Sequence, residues 1–125
     1  MDWVLVAIVC FIVLAGGLML WLKLKGRVTD EQLRDYIAEG AMVVDVRTLE
    51  EYKEGHLDQT IHIPLDQIVE RIRSQGTDSQ QLILCHCVSG GRSAIAVARL
   101  RRAGYHHAFN LGSYNRAAAL LKPLG

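Results

Sequence analysis

The hydrophobic pattern divides the chain into one long apolar run and a series of short apolar segments separated by polar residues. Residues 4–22 contain no charged side chain. A helix of about 19 residues is roughly 28 Å long, close to the roughly 30 Å hydrocarbon core of a bilayer. Trp3 and Trp21 lie near its two ends, where indole rings favour the headgroup layer. The pattern predicts a transmembrane helix over residues 3–22.

The charges beside this run indicate its orientation. Lys23, Lys25 and Arg27 follow it, in a segment (23–28) that we interpret as a juxtamembrane linker, whereas only Asp2 and the chain's amino group precede it. A cleaved signal peptide would carry basic residues before its apolar run. Because cytoplasmic flanks carry an excess of Lys and Arg, we expect a single-pass membrane protein whose C-terminal domain lies in the cytoplasm.

Beyond the linker, two helix starts carry the same signature. Thr29 with Gln32, and Thr48 with Glu51, have the spacing of a capping box, in which side chains satisfy backbone N–H groups at the start of a helix. Each is followed within about a dozen residues by a glycine, a residue that commonly ends helices. The pattern predicts helices over residues 29–40 and 48–55.

Short segments of strand and helix character alternate over the rest of the chain. Apolar runs rich in β-branched residues predict strands at 41–46, 61–64, 81–85 and 107–111, and apolar residues at helical spacing predict further helices at 65–76, 93–104 and 114–125. This alternation predicts an α/β domain over residues 29–121, with a parallel sheet covered by helices on both faces. Ligand sites in such sheets lie beyond the carboxyl ends of the strands.

The charge balance gives no sign of a nucleic-acid partner. From residue 28 onward the chain has 11 Lys and Arg against 12 Asp and Glu, a net charge of 11 − 12 = −1. The basic cluster Arg99, Arg101 and Arg102 lies in the last turns of a predicted helix, where the helix dipole favours cations. We therefore expect no nucleic-acid binding.

The three cysteines are distributed unevenly. Cys10 lies in the predicted membrane helix, and Cys85 and Cys87 flank His86 at the end of a predicted strand. Structural disulfides are not expected in the cytoplasm. Adjacent ligands with no second ligand pair are a weak match to a metal site. We predict neither a disulfide nor a bound metal.

The segment after this strand has the composition of an anion-binding turn. Cys87 is followed by Gly90, Gly91 and Arg92, and a helix is expected to start near Ser93. Successive N–H groups in such a turn form an anion-binding nest, and the unpaired N–H groups and dipole of the helix add to it. Both glycines can adopt positive φ angles, and the arginine brings a positive charge to the rim. A thiol in this place is biased toward thiolate.

The two cysteines of the domain are expected to differ. Cys85 precedes Cys87 by two positions and faces the same side of the strand, so it fits a small, buried hydrophobic residue. Cys87 could also be structural, but the glycines and arginine that follow favour a nucleophile. A role for Cys85 as a resolving thiol is an alternative.

Three segments together resemble a known family. The segments "VVDVRTLEEYKEGHL" (43–57), "CVSGGRS" (87–93) and "AGYHHAFNLGS" (103–113) are similar to those of rhodanese (sulfurtransferase) domains, and the likeness covers roughly residues 29–120. With the apolar run before it, the chain resembles the single-pass, membrane-anchored rhodanese proteins of bacteria. This resemblance implies a rhodanese-like fold and a location in the bacterial inner membrane.

The resemblance also implies roles for individual residues. Cys87 would carry sulfur as the nucleophile. Asp45 and Arg47 would brace the fold, the latter by pairing with Glu51 or another acid. His56 would brace through a hydrogen bond. The remaining candidates are the loop that would hold the bound sulfur and a supporting serine: Val88, Ser89, Gly90, Gly91 and Arg92, and Ser93.

The activity implied by the resemblance is sulfur transfer without a metal or organic cofactor. Sulfur would pass from a donor such as thiosulfate to cyanide or a thiol, with a membrane or sulfur-trafficking protein as a further candidate partner. A cysteine phosphatase or arsenate reductase is an alternative, although its loop has five residues between cysteine and arginine and this loop has four. A non-catalytic rhodanese-like binding module at the membrane is another.

Several positions depart from the family pattern. The stretch 58–60 replaces a usual Pro-Gly-Ala, His62 stands where asparagine is common, and Ser113 replaces the second glycine of a usual pair. A tryptophan often found shortly afterwards is absent. These positions border the expected cleft, so we expect them to affect substrate fit more than the nucleophile.

Overall fold

The computed structural model describes residues 2–25 and 28–122. The first element, α1, runs from Asp2 to Lys25 and so continues three residues past the end predicted for the span. Lys23 and Lys25, on which the predicted orientation depends, lie in its last turn, and Arg27 lies outside the described residues. Among the described residues one helix is long and apolar enough to cross a membrane, over Asp2–Leu22, and the protein buries none of its apolar window.

Both predicted capping boxes are present. Before α2 (Asp30–Ala38), the Thr29 hydroxyl accepts from the Gln32 N–H at 3.2 Å, and the Gln32 side chain accepts from the Thr29 N–H at 3.0 Å. Thr48 and Glu51 form the same pair of bonds, at 3.2 and 3.0 Å, before α3 (Leu49–Glu54). Each cap satisfies backbone N–H groups at the first turn of its helix.

Four parallel strands form one sheet, which confirms the predicted fold class. They are β1 (Met42–Asp45), β2 (Ile61–His62), β3 (Ile83–His86) and β4 (Ala108–Gly112), in the spatial order β2-β1-β3-β4. The third strand continues one residue beyond its predicted end, because His86 still pairs with Asp45 of β1. The predicted helix at 65–76 opens with a 3-10 turn, Leu65–Gln67, and continues as α4 (Ile68–Ser74).

Helices cover both faces of the sheet. The remaining two are α5 (Gly91–Arg102) and α6 (Tyr114–Leu121), and the predicted last turn at 123–125 lies outside the described residues. One core lies between the sheet and α4 and α5 and includes Ile72, Ile83 and Leu100. The other lies beneath α2 and α6 and includes Leu33 and Leu84. Near-continuous apolar strands are typical of parallel sheets that are covered on both faces.

The strand order fixes where a ligand site is expected. The chain passes from β1 outward to β2 and then returns to the other side of β1 to form β3. This change of direction makes the carboxyl ends of β1 and β3 a topological switch point, the usual place of ligand sites in open α/β sheets. Asp45 ends β1 and Cys87 follows β3, so both lie at this edge.

Candidate active site

The loop that follows β3 is attached to the end of β4 by backbone hydrogen bonds. The Cys87 N–H donates to the Gly112 carbonyl at 3.2 Å, and the Val88 carbonyl accepts from the Tyr114 N–H at 3.2 Å. Ser89 and Ser113 form an isolated antiparallel β-bridge in the same region. These contacts attach the start of the cysteine loop to the end of β4 and the start of α6.

A backbone amide points directly at the thiol. The Gly90 N–H donates to Cys87 Sγ at 3.0 Å. Gly90 has φ +96°, in the left-handed region, and a Cβ there would lie 3.4 Å from the Gly112 backbone. Glycine is the residue that takes this conformation at little cost, because it has no Cβ.

The start of α5 differs from the prediction. It begins at Gly91, two residues before the expected start near Ser93, and of the two glycines only Gly90 has a positive φ. Gly91 is already helical, so it needs no left-handed conformation. Of the N–H groups in the first turn of α5, that of Ser93 acts on the Cys87 sulfur atom.

Several donors act on the Cys87 thiol, which is 1% exposed. Burial by itself would raise the pKa of Cys87. The Ser93 hydroxyl, 3.6 Å from Sγ, and the backbone N–H groups of Ser93, Gly90 and Ser89 lower it, and together they outweigh burial, so the pKa of Cys87 lies below its ordinary value. Hydrogen bonds to the charged form of a group favour that form.

Asn110 of β4 completes this network; it lies in the family-like segment 103–113, but no role was predicted for it. Its side-chain oxygen accepts from the Ser93 hydroxyl at 2.7 Å and from the Gly112 N–H at 2.9 Å, and its amide nitrogen donates to the Gly90 carbonyl at 3.1 Å. Asn110 thus connects β4 to the residue before α5 and to the third residue of that helix. Its only sequence signal was a polar residue within an otherwise apolar strand.

Arg92 does not present a free charge at the rim. Its two terminal nitrogens donate to the two Glu51 carboxylate oxygens, at 2.6 and 2.9 Å, in a bidentate pair. The Arg92 hydrogen bond, with a smaller contribution from the Thr48 N–H, lowers the pKa of Glu51 to about 2. The pKa of Arg92 is raised chiefly by Glu51 and also by the negative charge of Cys87. Arg92 therefore remains close to the thiolate while its charge is largely balanced.

A second and more deeply buried ion pair lies at the end of β1. Arg47 donates to both Asp45 carboxylate oxygens, at 2.7 to 3.0 Å. The acid that pairs with Arg47 is therefore Asp45. Glu51, the acid named in the prediction, contributes only its backbone carbonyl at 3.4 Å. A further bond to the Gly55 carbonyl at 2.8 Å ties the end of α3 to β1. These contacts brace the sheet edge beside the cysteine loop.

His86 lies between the two cysteines in sequence, but its side chain faces the opposite side of the sheet. Side chains alternate along a strand, and Cys85 and Cys87 belong to the core beneath α4 and α5. His86 instead lies edge-on to the Tyr114 ring of α6, with Nε2 3.8 Å from an Asp45 carboxylate oxygen. Burial, the largest influence, lowers the pKa of His86, so the ring is neutral near pH 7.

Cys85 is fully buried, with 0% of its surface exposed. Burial raises its pKa to about 12. A thiol with so high a pKa is almost entirely protonated at neutral pH, and the thiolate is the reactive form. Cys85 is therefore suited to packing rather than to attack on a disulfide or persulfide.

The histidines near α3 form contacts with one aromatic ring. Tyr52 stacks with His56 at 3.8 Å between ring centroids and with His62 at 4.4 Å. His56 Nδ1 is 3.0 Å from the Tyr52 carbonyl, and His62 Nε2 is 2.8 Å from the Arg47 carbonyl. The His62 contact joins β2 to the segment after β1, whereas the His56 contact is to α3, which directly precedes it. Over residues 2–25 and 28–122, no cluster of three or more His, Cys, Asp or Glu is placed to hold a metal ion.

The fold and this cysteine loop together match a known family. A model of the rhodanese-like domain matches residues 29–119. The chain belongs to the rhodanese family.

Two relatives are named for sulfur transfer. The chain is 35% identical over 69 residues to the thiosulfate sulfurtransferase PspE of Escherichia coli, a match covering 55% of this chain and 66% of PspE. It is 31% identical over 85 residues to the thiosulfate sulfurtransferase GlpE of Pseudomonas entomophila, covering 68% of this chain and 76% of GlpE.

A third relative is longer. The chain is 32% identical over 73 residues to a protein of Bacillus subtilis named putative sulfur carrier protein YrkF, covering 58% of this chain but only 38% of YrkF. The chain thus spans 38% of the length of YrkF and just under two thirds of PspE.

Solved structures agree on the fold. A rhodanese from Escherichia coli with bound anions superposes with a TM-score of 0.58 at 31% identity, covering 62% of this chain and 91% of that one. A rhodanese-like domain of the Anabaena protein Alr3790 gives a TM-score of 0.59 at 26% identity, covering 67% and 97%.

Proposed function

We propose that this protein is a sulfurtransferase that carries sulfane sulfur as a persulfide on Cys87. The observation that carries the proposal is the group of donors around Sγ, above all the Gly90 N–H at 3.0 Å and the Ser93 hydroxyl at 3.6 Å. They lower the pKa of Cys87 in spite of its burial. The thiolate, not the thiol, is the nucleophile in sulfur chemistry, and relatives named as thiosulfate sulfurtransferases support the reaction class.

The first half-reaction loads the enzyme. The Cys87 thiolate attacks the outer sulfur of thiosulfate and forms a new S–S bond. The bond between the two sulfur atoms of thiosulfate breaks, and sulfite leaves with its electron pair. The product is a Cys87 persulfide anion, so the total charge is unchanged and no oxidant is needed.

The second half-reaction unloads it. A nucleophile such as cyanide or a thiolate attacks the outer sulfur of the persulfide, and the Cys87 thiolate leaves. Amide donors at the start of α5 stabilise both anions, in the same way as preorganised donors stabilise developing charge elsewhere. A covalent intermediate of this kind predicts ping-pong kinetics.

Intact-mass measurement tests the loading step directly. The full-length chain in detergent micelles is incubated with thiosulfate and is expected to gain about 32 Da, the mass of one sulfur atom on a cysteine persulfide. Cyanide should remove the added mass and yield thiocyanate. If neither thiosulfate nor polysulfide produces the adduct, the proposal is wrong.

Two variants assign the adduct to one thiol. Cys87→Ser should abolish both the adduct and thiocyanate formation. Cys85→Ala is the matched control, since Cys85 is buried with a raised pKa, and it should retain both. An adduct that survives Cys87→Ser would contradict the assignment of the carrier.

The phosphatase alternative is less well supported by the geometry. A phosphatase would need the Arg92 guanidinium to bind the phosphate, but this group already forms a bidentate pair with Glu51. The Gly90 N–H donates to Cys87 Sγ itself and so does not face a cavity that could hold a phosphate. Hydrolysis of an aryl phosphate by the wild type but not by Cys87→Ser would favour this alternative.

A non-catalytic binding module would not need an activated thiol. The donors around Cys87 therefore favour an enzyme over a docking platform. A chain that binds a membrane partner equally well with and without Cys87, and never acquires sulfur, would be such a module.

We place the protein at a membrane through α1, with the rhodanese domain on the cytoplasmic side. The support is the apolar helix over Asp2–Leu22, together with Lys23 and Lys25 at its end. Alkaline carbonate extraction of cell membranes should leave the chain in the pellet at full mass, and protease added outside spheroplasts should leave the domain intact. A shortened, soluble product would instead identify residues 2–22 as a cleaved signal sequence.

A further inference from the structure

The hydrogen bonds around Cys87 form a closed ring that includes Asn110. The ring runs from Cys87 Sγ to Ser93 Oγ at 3.6 Å, to Asn110 Oδ1 at 2.7 Å, from Asn110 Nδ2 to the Gly90 carbonyl at 3.1 Å, and from the Gly90 N–H back to Sγ at 3.0 Å. The other members lie in the cysteine loop and the first turn of α5, whereas Asn110 lies on β4, 17 residues beyond Ser93.

The partners of Asn110 determine which end of its amide faces which group. The Gly112 N–H can only donate, so the atom 2.9 Å away is the amide oxygen. The Gly90 carbonyl can only accept, so the atom 3.1 Å away is the amide nitrogen. Ser93 therefore faces an acceptor at 2.7 Å, and its hydroxyl must donate that bond.

A serine hydroxyl has one proton, and two groups can use it. While the Ser93 proton is directed at Asn110, the lone pairs of Oγ face the sulfur atom and can accept from the thiol S–H. A Cys87 thiolate has no proton to give and needs donors instead. The Ser93 proton must then turn from Asn110 toward Sγ. The turn leaves no buried group unpaired, because Asn110 Oδ1 keeps the Gly112 N–H.

We propose that Asn110 is a positioning residue that holds the Ser93 hydroxyl proton while Cys87 is a thiol and releases it to Sγ when the thiolate forms. Asn110 thus competes with the nucleophile for one proton, and at the same time anchors Gly90, whose N–H is the other close donor to Sγ. This inference rests on the proposed role of Cys87 as nucleophile, but it concerns the ionisation of Cys87 alone.

Charged neighbours do not provide the same control. Arg92 of α5 acts on Cys87, but it is held by Glu51 of α3. On β3, Cys85 and His86 are buried and His86 is on the opposite face. The strand β4 contains no ionisable side chain. Asn110→Ala therefore leaves the charges around the thiol unaltered.

A double-mutant cycle between Ser93→Ala and Asn110→Ala tests the competition. Cys10→Ala is introduced throughout so that α1 carries no thiol, and the full-length chain is kept in detergent. The measurement is the rate of Cys87 alkylation by iodoacetamide from pH 5 to 9, at low reagent concentration. The rate follows the thiolate fraction of Cys87. The pH profile therefore differs according to whether Asn110 only supports the loop or also competes for the Ser93 proton.

The expected results have different signs. Ser93→Ala should slow alkylation about tenfold at acidic pH, because the thiolate loses a hydrogen bond to a charged group. Asn110→Ala frees the Ser93 proton for Sγ and should speed alkylation. Its effect on the rate should be at least about twofold larger in the chain with Ser93 than in the Ser93→Ala variant. Equal effects of Asn110→Ala in the two backgrounds would overturn the proposal and leave Asn110 as a brace only.

Two further variants keep the test decisive. If Asn110→Ala fails to fold, Asn110→Asp offers a stronger acceptor to Ser93. Its added charge and the lost bond to the Gly90 carbonyl slow alkylation with or without Ser93, so the test is the additional slowing when Ser93 is present. Asn115→Ala, an exposed asparagine on α6, should change nothing. The persulfide mass is measured in parallel: coupling without a persulfide would refute the sulfur transfer alone, and a persulfide without coupling would refute the role of Asn110 alone.

Discussion

Cys85 and Cys87 are two residues apart and belong to the same core, yet their environments shift their pKa values in opposite directions. Cys85 lies inside β3 among apolar side chains, and burial raises its pKa to about 12. Cys87 lies one residue past the end of β3 and is equally hidden from solvent, but hydrogen-bond donors lower its pKa. Solvent exposure does not distinguish the two thiols. Cys85 lies deeper and burial alone acts on its pKa, whereas at Cys87 the donors outweigh burial.

The contrast shows what the end of a parallel strand provides. Within β3 the backbone N–H groups are used by neighbouring strands. Beyond its end, the turn into α5 leaves N–H groups that are free to face a side chain. Two neighbouring positions therefore give a packing thiol whose pKa is raised by burial and a loop thiol whose pKa is lowered by hydrogen-bond donors. Four predictions test this comparison, from the largest expected effect to the smallest.

The largest effect is expected in thiol reactivity. In the full-length chain with Cys10→Ala, we expect iodoacetamide to modify Cys87 at least about a hundredfold faster than Cys85 at pH 7, because the lowered pKa of Cys87 and the raised pKa of Cys85 give Cys87 the much larger thiolate fraction. Fragment mass spectra assign the modified thiol. Denaturation is the control and should make the two rates similar. Comparable rates in the native chain would remove the basis of the contrast.

The second effect is on stability at alkaline pH. Because the folded-state pKa of Cys85 is raised, Cys85 adds stability that is present below the unfolded-state value near 9 and lost as pH rises toward 12. The expected contribution to the slope is about 1.4 kcal/mol per pH unit. Chemical denaturation followed by circular dichroism should show a shallower slope between pH 9 and 11 for Cys85→Ala.

Cys87 supplies the internal control for that measurement. Its lowered pKa adds stability above its unfolded-state value, lost as pH falls through the folded-state value. Cys87→Ala should therefore not flatten the alkaline slope, and an equal change of slope in the two variants would contradict the assignment.

The third prediction concerns the conformation that aims a donor at Cys87. Gly90→Ala places a Cβ at φ +96° and should destabilise the chain by about 1–2 kcal/mol. It should also slow Cys87 alkylation, because the N–H at 3.0 Å is displaced. Gly91→Ala is the matched stability control: its Cβ meets nothing within 4 Å, and alanine favours a helix. Equal stability of the two variants would argue against strain at Gly90.

The smallest effect is expected at the Arg92 ion pair. Glu51→Gln can keep the capping box but removes the charge that balances Arg92. The pair is partly exposed, so we expect a stability loss below about 1 kcal/mol. The unbalanced Arg92 should speed Cys87 alkylation about twofold at acidic pH.

The pH dependence gives this last prediction a clear sign. The pKa of Glu51 is lowered to about 2, so its contribution is present above the ordinary value near 4.5 and is lost as pH falls toward 2. The wild type and Glu51→Gln should therefore converge in stability at low pH. Glu50→Gln, at an exposed neighbour on α3, should behave as the wild type does.

Local patterns predicted the elements well because their causes are local. The capping boxes at Thr29 and Thr48 join residues three apart, and the strands followed from runs of apolar, β-branched residues. The start of α5 was placed two residues late, because the pattern gave no reason to count Gly91 as helical. The topology followed from the alternation of strands and helices, since parallel neighbours need crossover connections.

The candidate site was predicted only in part. The sequence located the thiol, the glycine and the arginine, which lie within six consecutive residues. It did not indicate Asn110, which meets Ser93 and Gly90 from another strand, or the pairing of Arg92 with Glu51, 41 residues away. The acid partner of Arg47 was left open although Asp45 is only two residues distant.

By itself, the sequence determined that this chain has an apolar helix followed by an α/β domain with a thiol at a strand-to-helix turn. Those features depend on side-chain periodicity and on residues close along the chain. The sequence also favoured Cys87 over Cys85 as the nucleophile, but only the tertiary structure decided which distant residues hold the donors around Cys87. Hydrogen bonds to a buried sulfur atom depend on distances of a few tenths of an ångström, and packing sets those distances.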